Sequence, residues 1–448
     1  MKIIIGGAGA VGTHLAELLS RENQDIVIID DDNNRLDPIR SHYDLMAVTG
    51  SPSSIEMLNE VGVSKADLFV AVTPDENRNL MACILASKLG VKKTLARIDN
   101  YEYLEPENAE FFKNLGVGSL IYPEMLAANE IASSIRMSWV RQWWKFGKNG
   151  ELILIGAKIR EKCELLNLPL REIKAEDPYH IVAIRRDNET IIPRGSDFVQ
   201  LYDIVFFITT PEYIPYVRKI AGKEDYKDVH KLMIMGGSRI AMRTAQIVPD
   251  NLSVKIIEQD PIRCELLNQH VGKNTIIING DARDISLLKE ENIEDTDAFV
   301  ATTGNSEANI LACLNAKRLG INKTVAEVEN LDYISMADSL DIGTIINKKK
   351  IAAAHIYQML LDEDVTNVRS LTFSNADVVE YIAGENDAIT KNVVKDLGLP
   401  VGVIIGGVIR EGKGIIVNGN TQIIPGDDVV LFCVGQGQML KKIDKFFK

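Results

Sequence analysis

The sequence contains no apolar run of the roughly 18 to 20 residues that a bilayer-spanning helix requires. It also lacks any CxxC pair, and its five cysteines stand far apart, which favours reduced thiols over a disulfide framework. The five are Cys83, Cys163, Cys264, Cys313 and Cys433. With 50 Lys and Arg against 63 Asp and Glu, the net charge of −13 lacks the basic excess that nucleic-acid binding needs. We therefore expect a soluble cytosolic chain with no nucleic-acid partner.

Motifs for catalysis and metal binding are missing as well. The six histidines are scattered, and the sequence has no HxxxH spacing, GxSxG elbow or P-loop. Met1 and Lys2 lead directly into an apolar run and a glycine loop without a small-residue cleavage site, so we expect no signal peptide. We predict that the protein is not an enzyme. The alternative is an NAD-dependent oxidoreductase whose catalytic residues are unassigned.

The chain repeats itself, and its 448 residues are enough for two to four domains. Residues 66–100 align with residues 296–330 without a gap, so that Thr73, for example, matches Thr303. A weaker repeat relates "NETIIPRGSDFVQLYDIVFFI" to "GKGIIVNGNTQIIPGDDVVLFCV", which share strand-like alternation and a Pro/Gly/Asp turn. The plan of the chain is therefore A–B–A′–B′.

Each A segment alternates short β-branched runs, such as "KIIIG" and "DIVIID", with stretches of helical spacing, such as "VGTHLAELLSR". This alternation predicts an α/β fold with two tandem Rossmann-like, doubly wound parallel sheets. The B segments predict a small, compact α/β or β-rich module after each sheet. In these modules we expect the acidic turns to be turn caps rather than metal sites; they contain Asp197, Asp203, Asp427 and Asp428.

The first A segment carries an intact dinucleotide-binding fingerprint between a strand and a helix. It reads Gly7, Ala8, Gly9, Ala10, Val11 and Gly12. The glycines allow a tight turn, close approach of the backbone to a pyrophosphate, and close packing of helix on strand. Asp30 ends the next strand, where its carboxylate can bind a ribose diol and repel a 2′-phosphate. The pattern predicts a site for an NAD-type or adenosine ligand rather than NADP.

Further polar residues follow the strands at the same edge of the sheet. Arg97 ends the fifth strand, where it either contacts a phosphate or pairs with a neighbouring carboxylate. Thr73, Asp75 and Asn77 follow the fourth strand and either contact the ligand or form the turn and cap the next helix. The sequence leaves both alternatives open.

The second A segment departs from the fingerprint at chemically important positions. Gly236 is kept, but Ser238 stands where phosphate approach favours glycine, and Glu327 replaces Arg97. Glu258 still offers a ribose acceptor, and Arg239 offers a different phosphate contact. We expect this second site to be weaker, altered or empty.

Several stretches together resemble the TrkA family, the peripheral regulatory subunits of Trk-type potassium uptake systems. They include "IIIGGAGAVGTHLA", "DLFVAVTPDENRNLMACILASKLG", "ARIDN" and "LIYPEMLAANEI". The resemblance covers essentially the whole chain. It implies an RCK_N-type Rossmann domain at 1–135, an RCK_C-type module at 140–222, a degenerate second Rossmann domain at 229–360 and a second RCK_C-type module at 366–448.

The resemblance also implies a function. A member of this family binds NAD(H) in the first instance, with ATP or ADP as the alternative, and forms a homo-oligomer, usually a tetramer. It lies in the cytoplasm on the inner face of the membrane, where it docks on an integral-membrane potassium-translocating subunit and gates it. Carried over by position, Gly7, Gly9 and Gly12 cradle the phosphates, Asp30 holds the ribose and Arg97 faces the phosphates.

Overall fold

A computed structural model describes residues 1–20, 24–174, 177–187, 189–361, 367–370, 376–434, 439 and 442–447. The chain forms two compact units. The first consists of Met1–Ala127 with Asn347–Leu360, and the second of Ala128–Ile346 with the described residues from Leu361 onward.

The first unit is built on a six-stranded parallel sheet. Its elements are β1 (Lys2–Gly6), α1 (Ala10–Ser20), β2 (Asp25–Asp30), α2 (Asn33–His42), β3 (Met46–Thr49), α3 (Ile55–Glu60), β4 (Leu68–Ala71), α4 (Glu76–Lys88), β5 (Lys93–Arg97), α5 (Pro106–Leu115), β6 (Ser119–Ile121) and α6 (Pro123–Arg136), in which the division between the units falls. The strand order β3-β2-β1-β4-β5-β6 reverses direction at β1, and this switch point is where such sheets bind ligands. The predicted doubly wound sheet is confirmed.

The central strands of this sheet are apolar because helices cover both of their faces. Ile3, Ile4 and Ile5 in β1 are fully buried, as expected for an uninterrupted run in a parallel sheet. Helix α4 begins where the Asp75 carboxylate accepts hydrogen bonds from the amides of Asn77 and Arg78. The chain therefore turns sharply from β4 into α4 at the carboxyl edge of the sheet.

The second A segment repeats this sheet in the second unit. Its elements are β12 (Lys231–Met235), α8 (Arg239–Ile247), β13 (Ser253–Glu258), α9 (Pro261–His270), β14 (Thr275–Asn279), α10 (Ile285–Glu290), β15 (Ala298–Ala301), α11 (Ser306–Arg318), β16 (Lys323–Glu327), α12 (Asp332–Ser339), β17 (Thr344–Ile346) and α13 (Lys348–Leu361). The order β14-β13-β12-β15-β16-β17 matches the first sheet strand for strand. Helix α13, which follows this second sheet along the chain, belongs to the first unit up to Leu360.

Both B segments are five-stranded antiparallel sheets in the second unit. The first contains β7 (Gln142–Phe146), β8 (Leu152–Lys158), β9 (Tyr179–Arg186), β10 (Glu189–Ile191), β11 (Ile204–Thr209) and the short helix α7 (Ile214–Ile220). The second contains β18 (Asn367–Ser370), β19 (Ala376–Ile382), β20 (Val403–Arg410), β21 (Lys413–Ile416) and β22 (Asp428–Val434). Their orders, β10-β9-β11-β8-β7 and β21-β20-β22-β19-β18, are equivalent, and Phe146 packs edge-to-face on Phe432 in a core that the two sheets share.

The acidic turns of these modules serve two structural roles at once. Asp203 accepts a hydrogen bond from the Gln200 amide and pairs with Arg186 through both carboxylate oxygens. Asp427 does the same with the Ile424 amide and Arg410. The turn capping expected at both residues is therefore present. The predicted boundaries at residues 366 and 448 lie outside the described residues, and the domain boundaries stay predictions.

Asp428 lacks the partners that its neighbour Asp427 has. Its Oδ1 atom is buried with no hydrogen-bond partner among the described residues. Burial, together with the nearby Glu380 and Glu151 carboxylates, raises the pKa of Asp428 to about 6. Because this folded pKa lies above that of an unfolded aspartate, ionisation of Asp428 destabilises the fold above about pH 6, and the penalty vanishes below about pH 4.

We expect Asp428→Asn to raise the free energy of unfolding by about 1 kcal/mol at about pH 8, after allowance for partial exposure, and to change little at about pH 4. Equilibrium urea unfolding at the two pH values measures this difference. The exposed Asp44→Asn serves as the control and leaves stability unchanged. An equal gain at both pH values would mean that charge is not the cause.

Candidate nucleotide-binding site

The glycine loop between β1 and α1 has a different geometric requirement at each glycine. Gly7 has a φ of +114°, and a Cβ there would lie 2.9 Å from the Thr73 amide nitrogen. A Cβ at Gly12 would overlap the carbonyl oxygen of Gly7. At Gly9, by contrast, no heavy atom lies within 4 Å of the Cβ position. The loop is therefore packed tightly at Gly7 and Gly12 and open at Gly9, where a phosphate approaches in this motif.

The open position coincides with the start of a helix. Helix α1 begins at Ala10, and its first backbone bond runs from the Thr13 amide to the Gly9 carbonyl at 2.8 Å. The amides that precede Thr13 in the first turn have no acceptor inside the helix, and the helix dipole makes this end partially positive. Ala8, Ala10 and Val11 complete the loop, which therefore fits an anionic diphosphate.

Asp30 lies at the carboxyl end of β2 and supports the loop. It is buried; its Oδ2 accepts the Ala8 amide at 2.6 Å, and its Oδ1 accepts the Asp32 amide at 2.9 Å. The Arg35 guanidinium lies 3.8 Å from Oδ2. Each carboxylate oxygen has a second lone pair for a further donor, such as a ribose hydroxyl.

Thr73 has a structural role after β4. Its amide and hydroxyl both donate to Asn79 Oδ1, at 2.9 and 2.7 Å, and both residues are buried. The Asn79 amide group in turn donates to the carbonyls of Thr73 and Arg97, each at 2.9 Å. The sequence left open whether Thr73 contacts the ligand or forms the turn, and these hydrogen bonds to Asn79 are ones that hold the turn together. Asp75 is the N-cap of α4.

Arg97 lies beside this turn at the carboxyl end of β5. It pairs with Asp99 at 2.9 Å and donates to the Thr73 carbonyl at 3.3 Å, while its buried Nε has no partner among the described residues. About a fifth of its side chain is exposed. The surface pairing considered from the sequence is therefore present, and the guanidinium also faces the edge of the sheet where ligands bind.

A residue that sequence reasoning missed is Arg78, in the first turn of α4. Its guanidinium donates to Asp31 at 2.8 Å and to Ser51 at 3.0 Å, so it joins the turns that follow β2 and β3. The hydrogen bond from Arg78 lowers the pKa of Asp31. Its counterpart in the repeat, Ala308, lines the second cleft. The signal available in the sequence was this Arg-to-Ala difference within an otherwise well-matched stretch.

The second cleft keeps the backbone of the motif and changes its chemistry. Gly236 again has a positive φ, and Glu258 Oε2 accepts the Gly237 amide as Asp30 accepts that of Ala8. Ser238, however, caps α8 by accepting the Ala241 amide at 3.2 Å. One helix-start amide that a glycine would leave for a ligand is thus already bonded to the protein.

The second cleft nevertheless encloses a cavity of about 330 Å³, the size range of small-ligand sites. Its charged lining comprises Glu258, Arg263, Asp281 and Arg283. Arg263 donates to the Gly237 carbonyl at 2.8 Å, and Arg283 pairs with Asp281. Arg239 is the first residue of α8 and is not part of this lining. Both arginines that line the second cleft therefore already form hydrogen bonds or ion pairs with other groups of the protein.

Two further observations concern other kinds of site. In the described part of the chain, no three or more His, Cys, Asp or Glu side chains are grouped as metal ligands. Likewise, none of the helices that the structure describes is both long and apolar enough to span a bilayer.

Family models match this chain in three places. The TrkA-N domain matches residues 3–123 and again 232–348, which together make up more than half of the chain. The TrkA-C domain matches residues 154–222. The matched ranges coincide with the two parallel sheets and the first antiparallel module.

Relatives with curated names match over nearly their whole length. A "Trk system potassium uptake protein TrkA" from Haemophilus influenzae is 33% identical and is aligned over 100% of this chain and 99% of the relative. The protein of that name from Vibrio alginolyticus is also 33% identical, over 97% and 96%. "TrkA homolog 1" from Methanosarcina mazei is 29% identical over 100% of both chains.

Solved structures show the same fold at lower identity. The RCK domain of GsuK has a TM-score of 0.59 at 15% identity, covering 100% of this chain and 94% of that one. The GsuK channel bound to NAD has a TM-score of 0.58 at 15% identity, covering 100% and 78%. These likenesses establish the fold of the whole chain.

Proposed function

We propose, from the premise that this chain belongs to the TrkA family, that it is a nucleotide-binding regulatory subunit of a potassium uptake system. The observation that carries the proposal is the glycine loop, closed at Gly7 and Gly12 and open at Gly9, with Asp30 behind it. A loop with no heavy atom near the Gly9 Cβ position has room for a phosphate at a helix start.

The ligand that best fits this site is NAD(H), with ATP or ADP as the alternative. The buried Asp30 carboxylate accepts ribose hydroxyls and repels a 2′-phosphate, so NADP is disfavoured. Arg78 and Arg97 at the cleft edge offer positive charge to a diphosphate. The GsuK channel that was solved with NAD supports this choice.

Regulation requires that the nucleotide bind one conformation of the assembly better than another. We propose that the first cleft is the sensor and that the second, with Ser238 bonded to its own helix, binds more weakly or not at all. The chain then acts as a homo-oligomer, a tetramer in the proposed form. It docks on an integral-membrane potassium-translocating subunit at the cytoplasmic face.

Gly9→Asp tests the sensor. We expect at least about 100-fold weaker NADH binding, because a carboxylate occupies the phosphate position and like charges cost several kcal/mol. The Cβ position is open, so the thermal unfolding midpoint stays unchanged and loss of folding does not explain the loss of binding. Titration calorimetry with NADH, NAD, ATP and ADP measures the affinities, and potassium uptake by cells carrying the variant reports on gating.

Ser238→Asp is the matched variant at the second cleft. We expect it to leave about one nucleotide bound per chain, as in the unmodified protein. Two nucleotides per chain, with one lost in each variant, would show that the second cleft is a full site. No binding of any of the four nucleotides would reject the sensor, and consumption of NADH during the titration would point to an oxidoreductase.

A further inference from the structure

A small cavity in the second unit, separate from the nucleotide cleft there, is lined by six basic side chains. They are Arg141, Lys158, Arg160, Lys223, Lys317 and Lys323. The cavity has a volume of about 40 Å³. A buried water needs about 10–15 Å³, so the space accommodates a few waters or one small tetrahedral anion but not a base or a sugar. The lining comes from the first antiparallel module and from the second parallel sheet.

One carboxylate, Asp341, partly neutralises these cations. Arg141, Arg160, Lys158 and Lys317 all form ion pairs with it, the last two at 3.1 and 3.3 Å. Although burial opposes ionisation, these four neighbours hold the pKa of Asp341 well below its usual range. Within the described residues it is the one carboxylate ion-paired with the six basic groups.

Among the described residues, the other two lysines, Lys223 and Lys323, donate side-chain hydrogen bonds only to neutral groups. Lys323 Nζ donates to the Val140 carbonyl at 2.8 Å and to Thr344 at 3.2 Å, and Lys223 Nζ lies 3.4 Å from the Tyr226 hydroxyl. Both lysines are at most 3% exposed. Burial, with Arg141 or Arg160 nearby, lowers the pKa of Lys223 to about 8 and of Lys323 to about 7. Burial also raises the pKa of Glu130, the carboxyl whose charge acts on Lys323.

The first parallel sheet has neither the Asp341 carboxylate nor the Lys317 ammonium group at the equivalent positions, so the two sheets of the same chain can be compared. The strand pairings align Gly116 with Asp341 and Ser87 with Lys317. Gly116 has a φ of +104°, and Asp341 retains a positive φ of +56°, a backbone conformation in which glycine carries no penalty. A non-glycine residue is thus kept at a strained position, and its carboxylate organises the basic groups around the cavity.

We propose that this cavity is a binding site for a phosphoryl oxyanion. Two arginines and four lysines outnumber the single carboxylate that pairs with them, which leaves an excess of positive charge, and burying such charge without a counter-ion is costly. Lys and Arg are the side chains that proteins use for phosphate oxygens, and Asn322 and Thr324 add polar groups to the lining. The size of the cavity favours free phosphate over the terminal phosphate of a nucleotide.

The test uses the full chain with both nucleotide clefts blocked by Gly9→Asp and Ser238→Asp. Sodium phosphate is titrated against chloride at matched ionic strength, and ADP is titrated separately. The fluorescence of Trp139, which lines the cavity, reports binding, and Trp143 and Trp144 are the other two tryptophans of the chain. Saturable binding of about one phosphate per chain is expected. If ADP competes with phosphate, the bound oxyanion belongs to a nucleotide. If ADP does not compete, the ligand is free phosphate.

Lys223→Met separates an anion site from a purely structural cluster. We expect it to weaken phosphate binding by on the order of tenfold or more, since it removes a charged donor. In chloride it also raises the unfolding midpoint, because a buried charge without a carboxylate partner is gone. The exposed Lys113→Met is the control and changes neither quantity. If Lys223→Met fails to fold, Lys158→Met takes its place.

No saturable binding of phosphate or ADP would overturn the proposal. The proposal would also be overturned if Lys223→Met bound phosphate as tightly as the chain that keeps Lys223 does, or if chloride changed the fluorescence as much as phosphate does. These outcomes are independent of the proposed nucleotide sensor, because both clefts are blocked before the anion is added.

Discussion

Gly7→Ala is expected to destabilise the first unit by about 3 kcal/mol and to weaken nucleotide binding by on the order of 30-fold. The φ of +114° at Gly7 is one that L-amino acids rarely adopt, so a side chain there is strained in any surroundings. The added Cβ would also lie 2.9 Å from the Thr73 amide nitrogen and 3.1 Å from the Val72 carbonyl carbon. Relief of both contacts moves the loop away from β4, and with it the amides at the start of α1.

Gly9→Ala is the matched control in the same loop. Its Cβ meets nothing within 4 Å, so the free energy of unfolding stays the same while binding weakens because the methyl group occupies part of the phosphate approach. Guanidinium unfolding and calorimetry with NADH measure the two quantities for each variant. Equal stability of Gly7→Ala and Gly9→Ala would show that the loop accommodates a side chain at Gly7.

The order of elements and the outline of the first cleft were predictable because they depend on local patterns. Alternation of β-branched runs with helical spacing led to the correct doubly wound sheets, and the position of Asp30 at a strand end placed it behind the loop. The repeat carried the same predictions to the second sheet. The roles proposed for the site residues in ligand binding stay predictions until the binding experiment is done.

What the sequence could not show depends on side chains that meet only in the folded chain. The motif tolerates Ala at its last glycine, as Ala241 demonstrates in the second loop, yet in the first loop a Cβ at Gly12 overlaps Gly7. Arg78 reaches Asp31 across 47 positions of sequence. Local periodicity carries no information on such contacts, nor on the membership of α13 in the first unit.

Asp341→Gly is expected to destabilise the second unit strongly, because one carboxylate pairs with basic side chains from distant parts of the sequence. Arg141 is 200 positions away in sequence and Arg160 is 181, so the ion pairs join the first antiparallel module to the second parallel sheet. Asp341→Gly removes the shared carboxylate and leaves four cations facing one another. We expect a loss of about 3 kcal/mol, at the lower end for broken buried pairs because these side chains are partly exposed.

The first sheet supplies the compensating change. There the equivalents of Asp341 and Lys317 are Gly116 and Ser87, so Asp341→Gly combined with Lys317→Ser installs a pair that the fold already accommodates. We expect the double variant to recover at least about 1 kcal/mol over Asp341→Gly, because Lys317→Ser removes one of the cations that the carboxylate no longer compensates. Urea unfolding followed by tryptophan fluorescence reports on this region, since Trp139 lies two residues before Arg141. If the two substitutions act additively, with Lys317→Ser destabilising the unmodified protein and the Asp341→Gly variant alike, repulsion among the cations is not what Asp341 relieves.

The stability of Asp341→Gly is also expected to depend on the anion in solution. Its loss of unfolding free energy is smaller in phosphate than in chloride, because an oxyanion in the cavity replaces the missing negative charge. This difference separates the contribution of the carboxylate from that of a bound anion.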